Sequence, residues 1–288
     1  MSLSVDDRKI VYYSLIGPCI LSILGCSFIL LMFASLKGLR SLPFKMISIL
    51  SLFDLINSVG FLIPTYDVEN SSGICIAQAI ILNFSTFAGI VWTSFMAVFL
   101  YVTIKSFKSI EQKTVFKVLV AIVLVSAANS ILPLVVYREI AYGKTKGWCW
   151  IQDEFKALRY SLFFGPMFFI ILLNFFIYFR VKSILGGLMQ VDNASNKMIR
   201  KIKSKLFLYP IILIICYLPY SIKALLEASN LTKNDFIFTL ISVVLRSLHG
   251  FLNFLIYGLT TMVRKQVKRI FSPKINDSLI SLKKQIII

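Results

Sequence analysis

Seven long apolar runs constrain this chain more than any other feature. They cover approximately 10–36, 44–64, 74–104, 115–137, 157–184, 204–227 and 235–258. A helix of about 20 apolar residues crosses the hydrocarbon core of a bilayer. In lipid the backbone finds no water to bond, so each run must satisfy its own N–H and C=O groups as a helix. The sequence therefore predicts an all-α membrane protein, a seven-transmembrane helix bundle. Hydrophobic residues make up 58% of the 288 residues and charged residues 15%. A water-soluble domain of this size cannot hide that much apolar surface.

The net charge of +18 could suggest nucleic acid. Its distribution excludes that partner and points to membrane lipid instead. Basic residues recur on alternate loops: Lys37, Arg40 and Lys45; then Lys105, Lys108, Lys113 and Lys117; then Arg180 to Lys205; then the tail from Arg264 to Lys284. The intervening loops carry Asp67, Glu69, Asp153, Glu154 and Asp235. Positive loops stay in the cytoplasm, so the N-terminus is expected outside. The first run is too long for a signal-peptide core and has no clear cleavage site, so it reads as a retained span. The expected organisation is an extracellular N-terminus at 1–9, a transmembrane domain at 10–258 and a cytoplasmic segment at 259–288. Within that last segment, Thr260–Phe271 has Val263, Val267, Ile270 and Phe271 on one face and Arg264, Lys265, Lys268 and Arg269 on the other. It reads as a short amphipathic helix on the inner leaflet.

Two sequons, at Asn70 and Asn230, fall in predicted outer loops and are expected to be glycosylated. Cys19, Cys26 and Cys216 lie in apolar runs and read as packing residues. Cys75 and Cys149 both fall on the outer, oxidising side and predict a disulfide; two free thiols are the alternative. With a single histidine, no Walker loop and no nucleophile set, the chain offers no metal site and no enzyme chemistry.

Polar residues inside the spans mark function, because charge in lipid is costly. Arg246 lies about 15 Å below the outer end of span seven at 1.5 Å per residue. His249 follows on nearly the same face, and Lys223 stands near the outer end of span six. Together they predict a cationic pocket open to the outside, suited to a small anionic extracellular ligand. The alternative pairs Arg246 with Asp54 or Glu227, and sends Lys223 outward or onto Glu227. Trp148 and Trp150 read either as interface anchors or, Trp150 above all, as a lid over the pocket.

Asp54 in Ser51-Leu52-Phe53-Asp54-Leu55, Asn253 and Tyr257 four apart in span seven, and Cys216-Tyr217-Leu218-Pro219 in span six resemble the G-protein-coupled receptor superfamily. Four further segments are similar to the slime-mould cyclic-AMP-receptor-like group: Val91-Trp92-Thr93, Trp148-Cys149-Trp150-Ile151, Leu208-Tyr209-Pro210, and Gly250-Phe251-Leu252-Asn253 with Tyr257-Gly258. The resemblance implies a plasma-membrane receptor that takes a cyclic-AMP-like ligand and activates a heterotrimeric G protein. It implies an activation core of Asp54, Asn253, Tyr257, Pro219 and Trp92, with Pro219 as hinge. Asp54 would pair with Asn253 and hold a sodium ion or a water cluster; a plain hydrogen bond between spans two and seven is the alternative. Lys201, Lys203 and Lys205 would face the G protein. There are departures. Leu100–Lys105 stands where many such receptors carry Asp-Arg-Tyr, and Phe254 replaces a proline, so the usual kink in span seven is not expected.

A transporter or channel, with Asp54, Arg246 and His249 along an ion path, is the competing reading; the sequence shows no internal repeat to support it. A retinal protein needs a lysine in span seven, and 235–258 has none.

Overall fold

The computed structural model describes residues 4–70, 72–106, 110–188, 208–228, 236–258, 260, 263, 264 and 266. Among these, seven helical rods match the seven apolar runs. α1 is Val5–Ser35, α2 Leu42–Leu62, α3 Gly73–Ser106 and α4 Gln112–Tyr137. α5 runs from Lys156–Arg159 through a wider π turn at Tyr160–Phe164 into Gly165–Leu188. α6 is Leu208–Ala228, and α7 has two parts, Phe236–Ser247 and His249–Gly258, bent by 44°. The first five are long and apolar enough to cross a membrane, and the two parts of α7 qualify as one broken span. In α6 the apolar stretch Ile211–Leu226 is shorter.

The surface confirms lipid as the solvent. Leu31, Leu124, Val135, Leu172, Phe176 and Ile237 all point away from the bundle. Its interior holds Asp54, Arg246, His249 and Asn253. Apolar outside and polar inside is the arrangement of a multi-pass membrane protein.

α1 begins at Val5, ahead of the apolar run, because Ser4 and Asp7 form a capping box. The Asp7 amide donates to Ser4 Oγ at 3.0 Å, and the Ser4 amide to Asp7 Oδ2 at 3.3 Å. The connection between α4 and α5 is more than a loop. It folds into an antiparallel hairpin, β1 Tyr142–Lys144 with β2 Cys149–Ile151. Gly147 in its turn has φ 126°, and a Cβ there would come within 3.1 Å of the Arg8 carbonyl and Val11. Glycine thus lets the turn rest on α1. The Tyr142 hydroxyl donates to the Ser130 carbonyl at 2.7 Å, tying β1 to α4; burial pushes this phenol's pKa up, so it stays a donor.

α7 bends although it has no proline. The cause is Ser22 of α1. Its hydroxyl donates to the Ser247 carbonyl at 2.7 Å and accepts from the Phe251 amide at 3.1 Å. In an unbroken α-helix those two groups would bond each other. A side chain inserted into the ladder is a recognised source of a kink. Gly250 allows the approach, since a Cβ there would lie 2.7 Å from Cys26 Sγ. The kink that Phe254 seemed to rule out is therefore supplied by a neighbouring helix.

The amphipathic helix expected over Thr260–Phe271 lies largely outside the described residues; Val263, buried, and Arg264, exposed, are helical. Ser22→Ala should leave the Ser247 carbonyl and the Phe251 amide without partners. We expect a loss of about 1–3 kcal/mol, read as a lower Tm of the purified protein in detergent. An unchanged Tm would show that α7 bends without the serine.

Candidate functional site

Two polar rungs join α7 to its neighbours, one helical turn apart. The rung further from the hairpin centres on Asp54 of α2. Its Oδ1 lies 2.8 Å from His249 Nδ1, and its Oδ2 accepts from Asn253 Nδ2 at 2.9 Å. The two side chains share a hydrogen bond there; an ionised carboxylate only accepts, so with Asp54 ionised it is Nδ1–H that donates. The Tyr217 ring of α6 meets the imidazole edge-on, centroids 5.4 Å apart.

The rung nearer the hairpin centres on Thr86 of α3. Its Oγ1 accepts from Arg246 Nη2 at 2.8 Å and from Asn57 Nδ2 at 2.7 Å, while Asn57 also donates to Ser85 Oγ at 3.0 Å. Asn57 stands three residues after Asp54 and Arg246 three before His249, so helical geometry sets both rungs.

Arg246 is only 3% exposed. Four rings surround its guanidinium: Tyr220 at 5.1 Å, Phe61 at 5.2 Å, Phe163 at 5.7 Å and Tyr217 at 5.9 Å. Among the described residues no carboxylate pairs with it, and its Nε has no partner. Asp54 is engaged by His249 instead, and the Glu227 side chain lies outside the described residues.

The hairpin closes this end. Trp148 packs edge-on against Phe61 at 5.6 Å, and Trp150 against Phe163 at 4.9 Å and Phe164 at 5.7 Å. Two of the rings around Arg246 therefore also carry the hairpin's tryptophans. Both tryptophans are buried in protein, so neither anchors in the lipid interface. The Arg159 guanidinium stacks on the outer side of this cluster, 4.9 Å from Trp150, and pairs with Asp153. The expected Cys75–Cys149 disulfide forms and ties β2 to the start of α3. One turn along α3, Gln78 accepts from the Cys149 amide at 2.7 Å and from Thr65, and donates to the carbonyls of Gly60 at 3.0 Å and Ile63 at 2.9 Å. It seals the end of α2 to the hairpin.

The residues expected to share one pocket are thus divided. Arg246 and Trp150 meet through Phe163. His249 joins Asp54 and Asn253, a turn deeper. Lys223 is buried, not directed outward, and bonds Thr239; Thr239 stands about 10 Å along α7 from Arg246 at 1.5 Å per residue. Trp92 donates from Nε1 to the Met46 carbonyl at 2.9 Å, pinning α3 to α2. Pro219 lies within α6, and Tyr257 is buried in the π turn that ends α7. Asn70 accepts the Lys144 amide at 3.0 Å through Oδ1. Lys201, Lys203, Lys205 and Asn230 lie outside the described residues. Thr86, Asn57, Gln78 and the ring box went unseen in the sequence. A polar residue one turn from a key one, such as Gln78 after Cys75 or Asn57 after Asp54, was the available signal.

Comparison with known proteins gives the family. The chain is 27% identical over 278 residues to a protein named G-protein coupled receptor 1 from Arabidopsis thaliana, covering 92% of this chain and 82% of the relative. It is 27% identical over 253 residues to cyclic AMP receptor-like protein A from Dictyostelium discoideum, covering 87% of this chain and 63% of the relative. Cyclic AMP receptor 2 of the same organism is 32% identical over 156 residues, 52% of this chain and 40% of the relative. This chain thus spans less than two thirds of either slime-mould relative. The family model described as slime mold cyclic AMP receptor matches residues 3–276. The chain therefore belongs to the slime mold cyclic AMP receptor family, a family of membrane receptors and not of enzymes.

Proposed function

We propose that this receptor sits in the plasma membrane with seven spans and its N-terminus outside, binds a small anionic extracellular ligand beneath the hairpin, and activates a heterotrimeric G protein. The observation that carries the reading is Arg246, a buried guanidinium with no carboxylate beside it among the described residues. Burying an unpaired ion costs several kcal/mol even after relaxation. The surrounding rings return roughly 0.5–2 kcal/mol each. An arriving phosphate or carboxylate would offset the remainder, and guanidinium presents a two-pronged donor that matches either. The flat faces of Phe61, Phe163, Tyr217 and Tyr220 suit a planar ring on the same ligand. A cyclic-AMP-like molecule has both parts, and two relatives are named for cyclic AMP.

In this reading Trp150 is the lid. Lys223 lies on the ligand's way in, and His249 lies under the site. Asp54, Asn253, Tyr257 and Trp92 form the core that rearranges, and Pro219 is the hinge of α6. The ligand prefers one arrangement of that core and shifts the population toward it. Lys201, Lys203 and Lys205 meet the G protein in the cytoplasm. The alternating basic loops support this orientation. They also support the division into an outer 1–9, a spanning 10–258 and a cytoplasmic 259–288, with sugars on Asn70 and Asn230.

With cyclic AMP as the probe, Arg246→Ala should weaken binding on the order of 100-fold, the usual range for removing one partner of a buried charged contact, at normal surface expression. Arg246→Lys keeps the charge but not the fork and should recover only part of it. Binding unchanged in both variants would remove Arg246 from the ligand site. Coupling has its own readout. In native membranes stripped of guanine nucleotide, Gα and Gβ should co-purify with the receptor and dissociate when GTP is added. No such association, with a control receptor succeeding in the same membranes, would turn attention to ion flux.

A further inference from the structure

The resemblance implies a sodium ion or a water cluster at Asp54, and the donors present there do not fit the ion. A hard cation takes oxygen ligands. Here both carboxylate oxygens are engaged by nitrogen: His249 Nδ1 at 2.8 Å on Oδ1 and Asn253 Nδ2 at 2.9 Å on Oδ2, the two nitrogens only 3.4 Å apart. Another side of the residue is closed by Gly250, where even a Cβ would lie 3.2 Å from Asp54 Cβ. The imidazole is held in place from α6 by the Tyr217 ring. His249 is the single histidine of the chain.

We propose that His249 occupies the position a sodium ion would take, so that Asp54 is served by a side chain and the receptor has no sodium modulation. Two buried oxygens near the pair would be available to an ion if the ring were removed. Among the described residues, Ser51 Oγ, one turn before Asp54 on α2, and Asn253 Oδ1 have no hydrogen-bond partner. With Asp54 they would form the beginnings of an oxygen set, but only once the imidazole is gone. On this chain the residue at position 249 then decides whether the site takes an ion. The inference does not depend on which ligand binds above.

The test is thermal unfolding of the purified full chain in sodium chloride against choline chloride of equal ionic strength. A bound ion stabilises the folded state by mass action, and a rise of about 5 °C is readily reached well above its Kd. The wild-type protein should melt at the same temperature in both salts. His249→Asn, which supplies an oxygen in place of the ring, should gain a sodium-specific rise that a further Asp54→Asn removes. His249→Ser provides the same comparison if the asparagine variant does not fold. A sodium-specific rise in the wild type, lost in Asp54→Asn, would overturn the proposal. So would a folded His249 variant that gains no response to sodium.

Discussion

A charged group inside a bilayer has no water to fall back on, and the packing of α7 follows from that constraint. Asp54 is buried on α2 and is hydrogen-bonded to two side chains of α7. Holding both donors against one carboxylate brings α7 tight to α2, which in turn needs a residue without a Cβ at Gly250. The bend at Leu248 then requires a partner for the opened ladder, and Ser22 supplies it from α1. One satisfied carboxylate thus fixes the relation of three helices. Each link is a hydrogen bond in a low-dielectric setting, where an unmade one is expensive.

The second rung is satisfied to a different degree. Arg246 bonds Thr86 and is surrounded by four rings, and among the described residues no acid pairs with it. Thr86 is shared with Asn57, which lies a turn from Asp54 on α2. The ring box is shared with the hairpin, through Phe61 to Trp148 and Phe163 to Trp150. The disulfide and Gln78 in turn hold the hairpin to α3 and α2. A ligand that drew Arg246 out of its box would therefore pull on the hairpin at one end and on the Asp54 rung at the other.

Much of this was legible in the sequence, and the rest was hidden for definite reasons. Apolar length located all seven rods, because lipid permits only self-satisfied backbone. The helix starts were harder: α1 begins early because a capping box at Ser4 and Asp7 overrides hydropathy. The disulfide followed from which loops share a compartment. Asp54 was visible as a costly charge and its pairing with Asn253 through the resemblance, but their third partner was not. His249 was grouped with Arg246 by spacing along one helix, and only the position of α2 shows that the imidazole turns to Asp54. The kink in α7 was sought in α7's own sequence, where proline is missing. Its cause, Ser22, is one serine among many in the apolar runs and gives no signal until α1 and α7 are side by side.

On the proposed function, Arg246 is kept in the bundle for a ligand and against the stability of the empty receptor. The direct measurement is the Tm of ligand-free Arg246→Met, which keeps the side chain's length and removes its charge. Replacing a buried ion that lacks a full set of partners by an apolar residue of similar size is often stabilising, by about 1–4 kcal/mol. The variant should melt higher than wild type, and its Tm should no longer respond to an anionic ligand. A variant that melts lower would mean that the ring box and Thr86 already satisfy the guanidinium, making Arg246 a structural residue and removing the reason to place an anion beside it.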